Sequence, residues 1–338
     1  MKKAVITGVR RAAVVDAPDP APKADWALVK VHVAPMCTEY KAFVAGHTSE
    51  YLGHEAVGEV VEVAQPGRVE AGDRVVIQPQ YPGGQCHLCI SGDYIHCQDN
   101  YDVAEFTGSR EGSATMAQYL LKPSWVLSKI PEGVSYEHAS LALCGLGPSF
   151  GAFQHTGLSA FDTVLVTGMG PVGLGGVVNA RFRSARVIAV ESVPWRVARA
   201  EEMGVAYVVH PDDEDALARI KDLTDGKGVD CALDCSGSVR AQRLCLDATR
   251  RLGKVAFVGE CSKDLAIKVS PDLIRTGITV VGAWHYNLSD FPKVMKVIQE
   301  SPLIESLISH VFPMSKVQDA FETSASHECA KVLLKPWE

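Results

Sequence analysis

The periodicity of apolar and polar residues changes along this chain. Residues 1 to about 35 form short apolar runs separated by proline-containing turns, and Leu28 to Val33 alternates apolar with polar positions, which predicts β-strands. Val164 to Val166 and Val187 to Val190 are uninterrupted apolar runs, as buried parallel strands contain. An apolar segment rich in small residues separates them, as a helix packed on a sheet requires. The pattern therefore predicts strands near the start and a strand–helix–strand unit in the middle.

The later part of the chain continues the same alternation of elements. Residues 228–237 and 253–259 each combine an apolar run with a glycine turn, which predicts two more buried strands. Beyond them, the pattern predicts a helix from Phe291 to Ser301, a strand near Ile308 to Val311 and a final strand. The middle of the chain is thus expected to form one parallel sheet.

A glycine-rich turn follows the first of these parallel strands. Gly168, Gly170 and Gly173 fit the pattern G-x-G-x-x-G, with Pro171 and Val172 between the last two glycines. The first glycine permits a tight turn, the second lets the backbone approach a pyrophosphate, and the third lets the helix pack close to the strand. The glycine spacing alone is common. Here strand, turn, helix, strand and acid occur in order, which favours a dinucleotide site over an accidental turn.

An acidic residue ends the second parallel strand and indicates which dinucleotide binds. Glu191 can accept hydrogen bonds from the ribose hydroxyls of adenosine, and its carboxylate would repel a 2′-phosphate. We therefore predict NAD in preference to NADP. Ser192 leaves some room for NADP.

Length, composition and charge narrow the class of protein. With 338 residues the chain exceeds what one core usually holds, so two domains are expected. Hydrophobic residues make up 47% and charged residues 22%, as in soluble globular proteins, and the net charge of −7 without a basic block argues against a nucleic-acid partner. No apolar run approaches the ~18 residues of a membrane helix, and the N-terminus lacks the apolar core of a signal peptide. A cytoplasmic location is expected, where ten cysteines favour metal binding over disulfides.

Two groups of residues are candidates for metal binding. Cys37 and His54 carry the thiolate and imidazole groups that zinc prefers, although either residue alone is more often part of a core. Glu55, next to His54, and the glycines on both sides of this pair favour a metal site. The second group is Cys86, Cys89 and Cys97 in residues 83–97, which we call the cysteine lobe. Three free thiols so close together would be prone to oxidation, which favours metal.

Taken together, these motifs resemble the zinc-dependent medium-chain dehydrogenase/reductase family of alcohol, polyol and threonine dehydrogenases. The resemblance covers essentially the whole chain and rests on motifs that occur in the family's order: Cys37 to Gly46, Gly53-His54-Glu55, Gly72-Asp73-Arg74-Val75, the cysteine lobe, the glycine-rich turn and Lys331 to Pro336. It implies an α/β fold, in which a Rossmann doubly wound parallel sheet at 146–287 accompanies a GroES-like β-rich catalytic domain at 1–145 and 288–338. It also implies a homodimer or homotetramer.

The resemblance further implies a catalytic zinc that acts on a small alcohol or ketone. Family members place a third zinc ligand at the position of Cys144, so Cys37, His54 and Cys144 are the implied ligands; a small buried cysteine is the alternative for Cys144. Glu55 is expected to enter the zinc shell when water or product leaves. Arg196 occupies a position where the family often has a basic residue near the adenosine ribose.

Three positions depart from the family's pattern. Gly83 stands where the first of four lobe cysteines usually lies, so the lobe either lacks zinc or takes a fourth ligand from elsewhere, with His87 and His96 near in sequence. Glu39 replaces the usual Ser or Thr of the proton relay, and Ala42 replaces a relay histidine. Glu39 is a candidate general base, a hydrogen-bond partner for a second substrate hydroxyl, a zinc ligand, or a solvated carboxylate.

These departures leave several functions open. A carboxylate near zinc suits a hydroxyl-rich substrate better than an alkyl chain, so we predict oxidation of a polyol, sugar or cyclitol, with an amino alcohol as another candidate. One alternative is a zinc-free quinone or enoyl reductase of the same superfamily, against which the three zinc-ligand candidates argue. The other is a catalytically idle dinucleotide-binding protein, which only the altered relay favours.

Overall fold

A computed structural model describes all 338 residues, and the chain divides into two compact units. The first unit contains Met1–Cys144, Asn287–Glu300 and Ile308–Glu338. The second contains Gly145–Tyr286 together with the short segment Ser301–Leu307. The domain bounds predicted from the sequence place all of 288–338 in the first unit and therefore miss the segment Ser301–Leu307, which belongs to the second.

The strands and helices are numbered here in chain order. The strands are β1 (Lys2–Gly8), β2 (Arg11–Asp16), β3 (Trp26–Pro35), β4 (Ala56–Val63), β5 (Arg74–Ile77), β6 (Tyr119–Pro123), β7 (Leu127–Lys129), β8 (Thr163–Thr167), β9 (Arg186–Val190), β10 (Tyr207–Val209), β11 (Val229–Asp234), β12 (Thr249–Phe257), β13 (Thr279–Gly282), β14 (Ile308–Pro313) and β15 (Lys331–Lys335). The α-helices are α1 (Glu39–Ala45), α2 (His87–Ile90), α3 (Val103–Thr107), α4 (Tyr136–Ser140), α5 (Gly147–Thr156), α6 (Pro171–Phe182), α7 (Pro194–Glu202), α8 (Ala216–Asp222), α9 (Val239–Ala248), α10 (Phe291–Glu300) and α11 (Val317–Ser326).

The first unit is rich in β-structure, as predicted. Seven strands form its main sheet in the order β14-β15-β3-β4-β5-β7, with β6 also paired to β3, and β1 and β2 form a separate antiparallel pair. In β3 the side chains of Val29, Val31 and Val33 are fully buried, whereas Lys30 and His32 are only half-buried. The alternation read from the sequence therefore marks a strand with one face on the core.

The second unit is a six-stranded parallel sheet with the order β10-β9-β8-β11-β12-β13. The strands β9 and β10 lie on one side of β8, and β11, β12 and β13 lie on the other. The direction in which strands are added therefore reverses at β8. Ligands of such sheets bind outside the carboxyl ends of the strands at this reversal. The parallel strands predicted from the apolar runs are confirmed, as is the doubly wound α/β fold that the resemblance implied.

The predicted helix after the sheet extends from Phe291 to Glu300 and buries its apolar positions. None of the helices combines the length and the apolar character that crossing a membrane would require.

Candidate active site and nucleotide site

Four potential metal-binding side chains converge in the first unit. Cys37 follows β3, His54 and Glu55 precede β4, and Cys144 lies after α4. The ligand atoms of these four residues all lie within 4.8 Å of one another, and His54 Nε2 is 3.4 Å from Cys144 Sγ. The structure thus brings together the residues that the resemblance implied as zinc ligands, with Glu55 beside them.

Glu39 supports His54 from the side opposite the sulfur atoms. Its Oε1 lies 2.8 Å from His54 Nδ1, and its Oε2 accepts the backbone N–H of Cys37 at 2.9 Å. Burial alone would raise the pKa of Glu39, but the hydrogen bonds from His54 and Cys37 hold it below its usual value. Both carboxylate oxygens therefore have partners within the chain, and His54 presents Nε2 to the cluster.

A buried ion pair lies directly behind the cluster. Lys331 Nζ is 2.5 Å from Glu55 Oε1 and also donates to the carbonyl of Met36 at 3.1 Å. Glu55 Oε2 accepts the backbone N–H of Cys144 at 2.9 Å. Burial raises the pKa of Glu55 to about 7 against the opposing effect of Lys331. Sequence analysis assigned no role to Lys331; its only signal was its place in the motif at the end of the chain.

The two thiols of the cluster share a hydrogen bond that shifts their pKa values in opposite directions. The hydrogen bond from Cys144 lowers the pKa of Cys37 well below its usual value, and the same bond raises the pKa of Cys144. Burial lowers the pKa of His54, but its contacts with Cys37 and Glu39 outweigh this and raise it to about 11. Two thiolates and one imidazole are the ligand set of catalytic zinc in alcohol dehydrogenase itself, where the fourth position stays open. The donor set therefore fits zinc.

The glycine-rich turn of the second unit has the geometry that phosphate binding requires. Gly168 has φ of +80°, a conformation that favours glycine, and a Cβ at Gly173 would lie 1.8 Å from the carbonyl oxygen of Gly168. Gly170 is the N-cap of α6, which begins at Pro171 and continues through Val172. The backbone therefore leaves the space above the helix N-terminus open for a pyrophosphate.

Glu191 lies at the end of β9 and faces this turn. Its Oε2 accepts the N–H of Met169 at 2.7 Å, and its Oε1 accepts those of Ser192 at 2.7 Å and Val193 at 2.9 Å. A cavity of about 570 Å³ adjoins the carboxylate and is bordered by residues of the second unit. The backbone thus holds a buried carboxylate at the cavity wall.

Arg196 lies beside the glycine-rich turn. Its guanidinium is 3.6 Å from the position that a Cβ on Gly170 would take. Its Nε is buried and has no hydrogen-bond partner in the chain. A buried donor of this kind at a phosphate-binding turn fits an anionic ligand, so the residues present are compatible with a dinucleotide.

The three thiols of the cysteine lobe also come together. Cys86 Sγ lies 3.5 Å from Cys89 Sγ and 3.8 Å from Cys97 Sγ. The hydrogen bond from the backbone N–H of Cys89 lowers the pKa of Cys86. Only these three residues contribute ligand atoms to the group, so neither His87 nor His96 belongs to it.

Comparisons with known proteins cover both units. The family model of the alcohol dehydrogenase GroES-like domain matches residues 23–132, and that of the zinc-binding dehydrogenases matches residues 171–300. Sorbitol dehydrogenase of Bacillus subtilis is 29% identical over 99% of this chain and 97% of its own length. Erythritol/L-threitol dehydrogenase of Mycolicibacterium smegmatis is 32% identical over 84% of this chain and 79% of its own. The solved structure of alcohol dehydrogenase TADH from Thermus sp. ATN1 has a TM-score of 0.89, with 26% identity and 99% coverage of both chains.

Proposed function

Because the chain belongs to the zinc-dependent medium-chain dehydrogenase family, we propose that it interconverts a secondary alcohol and its ketone, with NAD as hydride carrier. The observation that carries this proposal is the convergence of Cys37, His54 and Cys144 from three separate segments into one group of zinc-compatible ligands. A zinc-free reductase has no use for these three donors together. Assembly as a homodimer or homotetramer, implied by the resemblance, stays a prediction.

Each residue around the group has a distinct task in this proposal. Zinc, when bound by Cys37, His54 and Cys144, supplies a Lewis acid that lowers the pKa of a substrate hydroxyl. Glu39 fixes the ring of His54 so that Nε2 is the ligating nitrogen. Lys331 holds Glu55 behind the ligands and offsets the negative charge of the two thiolates. Glu55 therefore lies beside the ligand group, and it pairs with Lys331 whenever it does not bind the metal.

The substrate is proposed to be a polyol, a sugar or a cyclitol. The sorbitol and erythritol/L-threitol dehydrogenases that this chain resembles are named for polyol substrates. Ionised groups near the ligands also disfavour a long alkyl chain, because burying charge beside it is costly. The direct test is a panel of polyols, cyclitols and simple alkanols with NAD and with NADP, on protein prepared without chelators. Turnover of polyols supports the proposal. Cofactor binding without turnover on the whole panel contradicts it and favours an idle binding protein.

For Glu39 we propose a positioning role in place of proton transfer, since both of its oxygens already accept hydrogen bonds. Glu39→Gln is expected to lower zinc affinity about 10- to 100-fold, because a carboxylate behind a ligating histidine orients it and increases its basicity. Competition with a chelator measures this affinity. Glu50→Gln removes the same charge from an exposed position of the first unit and is the control. Full zinc affinity with a lost limb in the pH profile of kcat would instead identify Glu39 as a general base.

NAD is the proposed cofactor because the buried carboxylate of Glu191 would repel a 2′-phosphate. Glu191→Gln is expected to reduce the preference for NAD over NADP by about tenfold or more, since hydrogen bonds to a charged group contribute about 1.5–3 kcal/mol. The ratio of kcat/KM for the two cofactors measures the change. Glu201→Gln, an exposed position in α7, controls for net charge. An unchanged ratio in Glu191→Gln would contradict this assignment.

We also propose that the cysteine lobe binds a second zinc through Cys86, Cys89 and Cys97. The support is the approach of the three sulfur atoms to within 4.8 Å of one another, together with the backbone N–H of Asp99, which donates to Cys97 Sγ at 3.4 Å. The protein as isolated is then expected to contain two zinc ions per chain, which elemental analysis measures.

A further inference from the structure

The cysteine lobe differs from a closed four-ligand zinc site at one position, residue 83. A side chain there would place its Cβ 2.5 Å from the carbonyl oxygen of Asp99, closer than real Cβ atoms approach. The neighbouring Pro82 forms a β-bridge with Asn100, which fixes this approach. Position 83 therefore not only lacks a ligand but is closed to any side chain in this backbone conformation.

The next residue of the loop, Gly84, also has a close neighbour. Gly84 has φ of +79°, and a Cβ there would lie 2.9 Å from Nε1 of Trp125. The absence of the fourth cysteine is thus built into the packing of the lobe.

The three thiols differ in their access to solvent. Cys89 and Cys97 are buried, with 5% and 7% of their surface exposed, whereas Cys86 is half-exposed. No further His, Cys, Asp or Glu places a ligand atom in the group. Of the three thiols, that of Cys86 is therefore the one that solvent reaches most easily.

We propose that the cysteine lobe is a three-thiolate metal site whose fourth coordination position is open to an external thiol. This inference rests on the proposal that the lobe binds metal. Zinc takes four ligands in tetrahedral sites, and a soft thiolate competes well with water for a metal already held by sulfur. In the exchange the external thiol releases its proton to solvent, its sulfur binds the metal, and a water molecule leaves. No oxidation or reduction is involved.

The test uses Cys144→Ala protein loaded with Co²⁺ in place of zinc, so that the remaining metal reports on the lobe. Adding 2-mercaptoethanol is expected to increase the thiolate-to-cobalt charge-transfer absorption by about a third, because three metal–sulfur bonds become four. Cys37→Ser provides a second background if the first variant folds poorly. Cys86→Ser is expected to lose the response, and Cys261→Ser, outside both clusters, is expected to keep it.

Two outcomes would overturn the inference. An absorption spectrum that does not change with the thiol shows a closed site. If Asp99→Ala then gains the response, the fourth ligand is the carboxylate of Asp99, the residue whose backbone carbonyl approaches Gly83. Absence of metal from the lobe, with a disulfide between Cys86 and Cys89, would refute metal binding there. In that case the zinc content of the wild-type protein still tests the catalytic site separately. One zinc ion per chain would support the catalytic site, and none would contradict it.

Discussion

Replacing Cys144 with alanine is expected to remove the catalytic zinc and to lower kcat/KM for alcohol oxidation by about a thousandfold or more. Cys144 supplies one of three ligands, and its neighbours Cys37 and His54 cannot fill a tetrahedral site alone. The Lewis acid contributes several kcal/mol of transition-state stabilisation, and each 1.36 kcal/mol corresponds to about tenfold in rate. Elemental analysis of wild type and variant, with steady-state kinetics on one preparation of each, measures both effects.

The zinc count distinguishes the outcomes. A fall from about two zinc ions per chain to one places one in each cluster, and a fall from about one to none places the only zinc at Cys144. Cys231→Ala, at a buried cysteine of β11, is the control and should leave the count unchanged. If Cys144→Ala changes neither zinc nor rate, the third ligand is misassigned. If wild type contains no zinc after chelator-free preparation, the zinc-free reductase is the better explanation.

Local sequence patterns were enough to predict the buried parallel strands of the second unit, whereas its doubly wound fold was implied by the family resemblance. Uninterrupted apolar runs predicted β8 and β9, and the glycine-rich turn between β8 and α6 defined the strand–helix connection. These signals are local, because a parallel strand buried on both faces needs apolar residues at every position. The excursion of Ser301–Leu307 into the second unit had no such signal, since it depends on packing and not on periodicity.

The candidate site was predictable only in part. Cys37 and His54 were identifiable because thiolate and imidazole are the preferred zinc ligands and both residues lie in motifs typical of the family. The orientation of Glu39 was not, because adjacent positions at the start of a short helix can point toward substrate, metal or histidine. The partnership of Lys331 with Glu55 was also not predictable, since the residues are 276 positions apart and neither is unusual by itself. In the cysteine lobe, sequence showed the missing cysteine but not that Asp99 closes its place.

At pH 8, above the pKa of about 7 that Glu55 has beside Lys331, Lys331→Met is expected to lower the free energy of unfolding by about 3–5 kcal/mol, because Glu55 must then take up a proton or stay buried without its cation. Lys331 and Glu55 are almost fully buried, with exposed fractions of 1% and 0%, so solvent does not replace the lost partner. Denaturant unfolding of the metal-free protein measures the effect without a contribution from zinc binding.

The double variant Lys331→Met/Glu55→Gln separates the charge from the packing. Removing both charges is expected to restore most of the stability, since a neutral pair in a buried site costs far less than one unpaired charge. Lys122→Met is the matched control: this second buried lysine lies over the ring of Tyr81, and burial alone lowers its pKa to about 7. Its replacement should therefore be neutral or stabilising. Equal losses of stability in Lys331→Met and in the double variant would show that the lysine stabilises the protein through the packing of its alkyl chain. The proposed role of Glu55 as a carboxylate that Lys331 holds behind the zinc ligands would then be contradicted.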